Sequence, residues 1–156
     1  MENFVMVEQF ENLDEESQDL VRKAESSIHL AYAPYSKFSV GAALLLDNGA
    51  IVLGANQENA AYPDGMCAER VALFAMTSQY PGRSIKKLAV VARSENALSL
   101  TPVTCCGSCR QAMFEFEQRQ HSPFEVIMQV KDNYWIKAVS AESLLPFSFS
   151  KRIRAL

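Results

Sequence analysis

The sequence predicts an α/β fold, a three-layer α/β/α sandwich on a mixed five-stranded sheet. Three observations carry this. The stretch "KFSVGAALLLDNGAIVLGAN" alternates apolar and small residues on either side of Asp47-Asn48-Gly49, as a hairpin does. Three further strand-like runs follow, "IKKLAVVAR", "FEVIMQV" and "YWIKAV". Helical patterns separate the hairpin from the first of these runs and the first from the second. The order α-ββ-α-β-α-β-β-α calls for a mixed sheet with helices on its faces.

Each element has its own signal. In "NLDEESQDLVRKAESSIHLAY", Leu20, Ala24, Ile28 and Ala31 recur at helical spacing, with acids early and bases later as the helix dipole prefers. Pro34 ends that helix. In the hairpin, Phe38, Val40, Ala42 and Leu44 alternate and read as core on pattern alone. "CAERVALFAMTSQ" is apolar on most sides and fits a buried helix. "IKKLAVVAR" is a near-continuous apolar run, suited to a strand covered on both faces. "SENALSLTPVT" reads as a loop, and "CCGSCRQAMFEFEQ" as a turn running into a helix. Asp132-Asn133 joins the last two strands, and "AESLLPF" reads as a short helical turn. The first dozen residues and the basic tail "SKRIRAL" are expected to fray.

A chain of 156 residues predicts one domain over residues 1–156, with residues 1–12 as an N-terminal extension. Composition is ordinary, 49% hydrophobic and 21% charged. A net charge of −3 argues against holding polyanions by bulk charge, so no nucleic-acid partner is expected. The acidic start "MENFVMVEQFENLDEESQ" resembles neither a signal nor a transit peptide. No apolar run reaches the roughly 18 residues of a membrane span. These readings predict a cytoplasmic protein, in which the four cysteines, Cys67, Cys105, Cys106 and Cys109, serve metal binding or catalysis rather than disulfides.

Cys106 and Cys109 form a C-x-x-C, with Gly107 permitting the turn. A redox pair, half a structural zinc site and a catalytic zinc hairpin all use that spacing. The element order is not that of a thioredoxin-like chain. A closed zinc site needs a fourth ligand, and the two histidines, His29 and His121, lie elsewhere in helix and polar loop. Cys67, Cys106 and Cys109 supply three ligands, which leaves the open position of a catalytic zinc. Cys67 and Cys106 each open a predicted helix, where free N–H groups favour thiolate. Three thiolates leave the site at −1, which Arg70 and Arg110 are placed to offset.

"CAE" at residues 67–69 followed by the C-x-x-C resembles the signature of zinc-dependent nucleobase deaminases. More narrowly, the chain resembles a cytidine deaminase of the small three-cysteine type. The likeness spans about residues 14–150 and includes "AYAPYSKFSVGAALL", "NQENAAYPDGMCAER", "CGSCRQ" and "LLPFSFS". It implies that Cys67, Cys106 and Cys109 bind one zinc and that Glu69 is the proton shuttle. It further implies that Asn56 and Glu58 hold the ribose, that Phe38 contacts substrate, and that Phe149 reaches a neighbour's site in a homotetramer. The implied reaction converts cytidine and deoxycytidine to uridine and deoxyuridine plus ammonia through attack of a zinc-activated water on C4, in pyrimidine salvage.

Two features depart from the family. Cys105 stands where proline usually precedes the C-x-x-C, either as a small substitute or as a spare thiol able to misligate or oxidise. The tail after Phe149 is short, so a dimer stays beside the tetramer. Two other functions also stay open, a deaminase of modified or antibiotic pyrimidine nucleosides and a non-catalytic zinc-stabilised oligomerisation module. Met66, Met76 and Met113 read as core filler and Trp135 as strand packing.

Overall fold

The structure is a computed structural model that describes residues 3–150. Its elements are β1 (Phe4–Glu8), α1 (Glu15–Ser27), β2 (Phe38–Leu46), β3 (Ile51–Ala55), α2 (Ala68–Gln79), β4 (Ile85–Ser94), α3 (Gly107–Gln120), β5 (Glu125–Lys131) and β6 (Tyr134–Ala138). Short 3₁₀ turns cover Phe10–Asn12, Ile28–Leu30, Tyr62–Asp64 and Glu142–Leu144. The strands form one sheet in the order β1-β6-β5-β4-β2-β3. Only β4 and β5 pair in parallel, joined by the crossover through α3; the other pairs are antiparallel. No helix among the described residues is long and apolar enough to cross a membrane.

The sheet has six strands, not the five expected. The extra one is β1, from residues expected to fray, which pairs along β6 from Phe4↔Ala138 to Glu8↔Tyr134. Phe4, Val5 and Met6 stay 41–60% exposed, so the strand gains mainly backbone hydrogen bonds and closes an edge. It buries little, which is why its sequence shows no alternation. The basic tail expected to fray lies outside the described residues from residue 151 onward.

Helices cover both faces. On one, Leu20, Val21 and Ala24 of α1 and Ile28 just after it pack on Ala43, Leu45, Ala89, Val91 and Ile127. On the other, Ala68, Ala72, Leu73 and Met76 of α2 and Met113 and Phe116 of α3 pack on Ala42, Leu44, Val52, Leu88 and Val126. Two glycines set how closely the helices approach. A Cβ on Gly41 would lie 2.1 Å from the Ala24 carbonyl oxygen, and one on Gly54 would lie 2.3 Å from that of Ala68. The second contact seats the first turn of α2 directly on β3 and so fixes where the residues opening that helix stand.

A charged cluster ties α1 to the sheet. The Asp14 carboxylate caps α1 by accepting from Ser17 N at 2.9 Å, and it also meets the ammonium groups of Lys87 and Lys137. Burial works to raise the Asp14 pKa, but hydrogen bonds from Lys137, Ser17 and Lys87 outweigh it and hold the carboxyl far below the usual range. A depressed folded-state pKa gives stability that is present above the unfolded value, about 3.9, and lost as pH falls below it. Asp14→Ala is expected to cost about 1–2 kcal/mol at neutral pH, the scale of a lost N-cap. Urea unfolding measured at a series of pH values should show the gap to the parent closing below about pH 4. A gap independent of pH would mean that the carboxylate charge contributes nothing.

Candidate metal and active site

Cys67 is the N-cap of α2 and Cys106 the N-cap of α3, both in extended backbone conformation just before the helix begins. Cys109 lies in the first turn of α3, and its N–H points at Cys106 Sγ, 3.4 Å away. The two helix N-termini converge. The Sγ atoms of Cys67 and Cys106 are 3.8 Å apart, and all three sulfurs lie within 4.8 Å of one another. A tetrahedral zinc with Zn–S bonds near 2.3 Å holds its sulfurs roughly 3.8 Å apart, so the cluster fits that ion with little movement.

The electrostatics agree. The thiol of Cys109 hydrogen-bonds to Cys67, and against the effect of burial this contact, with help from Arg70 and Cys106, lowers the Cys67 pKa to about 5. Arg70 Nη2 stands 3.6 Å from Cys67 Sγ. The same Cys67 contact, with burial, raises the Cys109 pKa. Cys67 thus ionises readily, while Cys109 beside it resists ionisation. A divalent cation among them removes that resistance.

Glu69, the second residue of α2, is 4% exposed beside the sulfurs, and burial raises its pKa. It lines a cavity of about 310 Å³ together with Cys67 and Cys106. Asn56 and Glu58, just past the end of β3, line the same cavity. Asn56 is also built into the sheet: its Oδ1 accepts from Val40 N at 2.8 Å and its Nδ2 donates to Phe38 O at 2.9 Å. Glu58 Oε2 accepts from the backbone N–H groups of Tyr35 at 2.9 Å and Ser36 at 3.3 Å.

Other sequence candidates lie farther off. Phe38 opens β2 but is not among the residues lining this cavity. Phe149 is 54% exposed and outside the cavity, with its carbonyl accepting from Gln111 Nε2. Arg110 Nε donates to the Cys105 carbonyl at 2.8 Å, so this guanidinium braces the loop before α3. Cys105 is 1% exposed in the core under the sulfurs and is not one of the three that cluster. Met66, expected as core filler, is a wall of the cavity, as are Tyr62, Val103 and Thr104. Met66 precedes a helix rather than sitting inside one, which is the signal that separates it from the buried Met76 and Met113.

The comparisons with known proteins agree with this geometry. Residues 14–122 match the family model of the cytidine and deoxycytidylate deaminase zinc-binding region. A curated cytidine deaminase of Sporosarcina psychrophila is 41% identical over 134 residues, which is 86% of this chain and 91% of that protein. One from Halalkalibacterium halodurans is 46% identical over 98 residues, 63% of this chain and 70% of that protein. Among solved structures, the cytidine deaminase of Burkholderia pseudomallei superposes with a TM-score of 0.70 at 35% identity, covering 88% of this chain and all of that one.

Proposed function

The chain belongs to the cytidine and deoxycytidylate deaminase family, and we propose that it hydrolyses cytidine and deoxycytidine to uridine and deoxyuridine with release of ammonia, as a cytoplasmic enzyme of pyrimidine salvage. It is a zinc-dependent hydrolase. The observation that carries this reading is the meeting of three thiol groups and one buried carboxylate at the end of a nucleoside-sized cavity. The direct test is the ultraviolet change on mixing cytidine with purified protein. Conversion that a chelator stops and added zinc restores is expected. Conversion indifferent to the chelator would overturn it.

Cys67, Cys106 and Cys109 would hold the zinc, which would supply a Lewis acid able to acidify a water beside Glu69. Glu69 accepts that water's proton and passes it to N3 of the cytosine ring as C4 takes the oxygen. It then carries the remaining hydroxyl proton to the amine, which leaves as ammonia while the C4 carbonyl forms. Burial raises the affinity of the Glu69 carboxyl for the proton it shuttles. Arg70, against Cys67 Sγ, offsets negative charge on the sulfurs. The role of Arg110 in the charge balance is exerted from the Cys105 carbonyl, beside Cys106.

Asn56 and Glu58 read the sugar. An amide NH₂ carries two hydrogens. With one of them on Phe38 O, the other is left for a ribose hydroxyl. A charge-assisted hydrogen bond from hydroxyl to the Glu58 carboxylate is worth roughly 1.5–3 kcal/mol. Glu58→Ala should lower kcat/KM for cytidine by about 10–150-fold with zinc content unchanged. Because Glu58 also holds the turn at Tyr35 and Ser36, free cytosine is the control. An equal loss on cytosine would show a residue that only organises the site.

Phe38 and Phe149 complete substrate binding in an assembly, with Phe149 reaching a neighbour's cavity in a homotetramer. Support comes from its exposure and its position outside its own cavity. Mixing Phe149→Ala with Glu69→Gln protein creates sites that combine an intact shuttle with an intact phenylalanine. Activity should return on subunit exchange. No return after demonstrated exchange would confine Phe149 to its own chain.

A further inference from the structure

After β6 the chain returns along α3. Ala141 and Leu144 are buried in the core that α2 and α3 share. The Glu117 carboxylate, toward the end of α3, accepts from the N–H groups of Ala141 at 2.6 Å and Glu142 at 3.0 Å. Five residues after Leu144 the chain meets α3 again, nearer the start of the helix. There Gln111 Nε2 donates to the Phe149 carbonyl at 2.8 Å. Residues 145–150 form neither helix nor strand, and none of them is buried. Core packing therefore does not place this stretch, and the Gln111 amide anchors it to α3.

The anchor stands beside the metal site of its own chain. Cys106 caps α3, and Cys109 lies two residues before Gln111, about 3 Å along the helix axis. Arg110, between Cys109 and Gln111, braces the same helix against the Cys105 carbonyl. One helix thus fixes two of the three clustered sulfurs and the main chain of Phe149. The hydrogen bond is made to the carbonyl, so it sets where the Phe149 Cα stands and how far the ring reaches. A stretch outside helix and strand keeps backbone freedom unless something holds it, and that freedom is lost when the stretch takes part in binding. A bond made beforehand removes part of that cost.

We propose that Gln111 is a positioning residue for the neighbouring subunit's site: its amide holds the Phe149 main chain so that the ring is in place before that subunit's substrate arrives. The inference rests on the reading of Phe149 as a residue lent to a neighbour. It gives α3 a second duty, which is to set the reach between one subunit's sulfurs and the ring it lends to the next. Gln111 touches no substrate and acts only through Phe149.

The test uses zinc-loaded full-length protein. Gln111→Met keeps the length and helix preference of the side chain but has no N–H to donate. It should lower kcat/KM for cytidine by about 3–10-fold, as the loss of one neutral hydrogen bond dictates. The change should lie in KM, with kcat and zinc content at the parental values. Gln111→Glu, equal in shape and also without the N–H, should do the same and serves if methionine loosens the helix. In a Phe149→Ala background neither substitution should have any further effect. The decisive arm mixes Gln111→Met with Glu69→Gln protein. A site with the intact Glu69 of one subunit then receives a phenylalanine held by the intact Gln111 of the other, so the parental KM should reappear on subunit exchange. Recovery in the mixture of Phe149→Ala with Glu69→Gln but not in this one would leave the shared site standing and overturn the role of Gln111. Recovery in neither, after demonstrated exchange, would overturn the shared site itself. Zinc loss in both Gln111 variants, or a full additional loss in the Phe149→Ala background, would also overturn the proposal, since Gln111 would then act within its own zinc helix.

Discussion

Glu69→Gln is expected to abolish turnover while leaving a folded, zinc-loaded protein. One acid–base role contributes roughly 10²–10⁴-fold, and the proposed reaction gives Glu69 more than one proton transfer, so kcat should fall by at least about 10⁴-fold. The amide keeps the shape and hydrogen-bonding reach of the carboxyl but cannot take a proton from water. The three sulfurs are untouched, so zinc content should remain one per chain. Stability separates this from a general disruption. Burial already disfavours the ionised Glu69 side chain, which is 4% exposed, so a neutral amide of equal size should leave the melting temperature unchanged or raise it. A variant retaining a tenth of parental kcat would remove Glu69 from the proton path. A variant that loses zinc would make its role structural.

The opening residues of the two site helices were legible because helix N-termini announce themselves. Cys67 and Cys106 stand where the apolar helical pattern begins, and the structure makes both of them N-caps. Cys67 and Glu69 are two apart, which on a regular helix sends side chains to opposite sides. They share a cavity wall because Cys67 is still in extended conformation and only Glu69 is helical. The hairpin and buried strand were legible from period and run length.

What was not legible depends on the chain's return from far away. Phe4–Glu8 becomes a strand only because β6 offers an open edge 130 residues later, and its side chains gain too little burial to pattern the sequence. The amide of Asn56 completes backbone pairing of β2, a role no local pattern reveals. Glu117 reads as an ordinary helical acid. Its carboxylate is buried and accepts from the N–H groups of Phe124, Ala141 and Glu142, fastening α3 to the start of β5 and to the turn after β6. Gln129 looks like the polar member of an alternating strand, yet it faces the α1-side core.

Two buried cysteines separate metal binding from packing. Cys109 is 0% exposed and Cys105 is 1% exposed, so Cys109→Ala and Cys105→Ala remove the same atom from equally buried positions. Only Cys109 belongs to the cluster of three sulfurs. Cys109→Ala should lose zinc and activity together, since two thiolates do not hold the ion against competition. Metal that binds only the folded chain stabilises it by about 4 kcal/mol when present at a thousand times its dissociation constant. For a chain of this size that is roughly 8–16 °C in melting temperature. A chelator should reproduce the fall in the parent protein and change nothing further in Cys109→Ala. Cys105→Ala should keep zinc, activity and chelator sensitivity, with a packing loss of about 1 kcal/mol, the centre of the range for single substitutions. Zinc measured by atomic absorption beside thermal unfolding decides the matter. Zinc retained in Cys109→Ala and lost in Cys105→Ala would reverse the ligand assignment, and with it the position of the open site relative to Glu69.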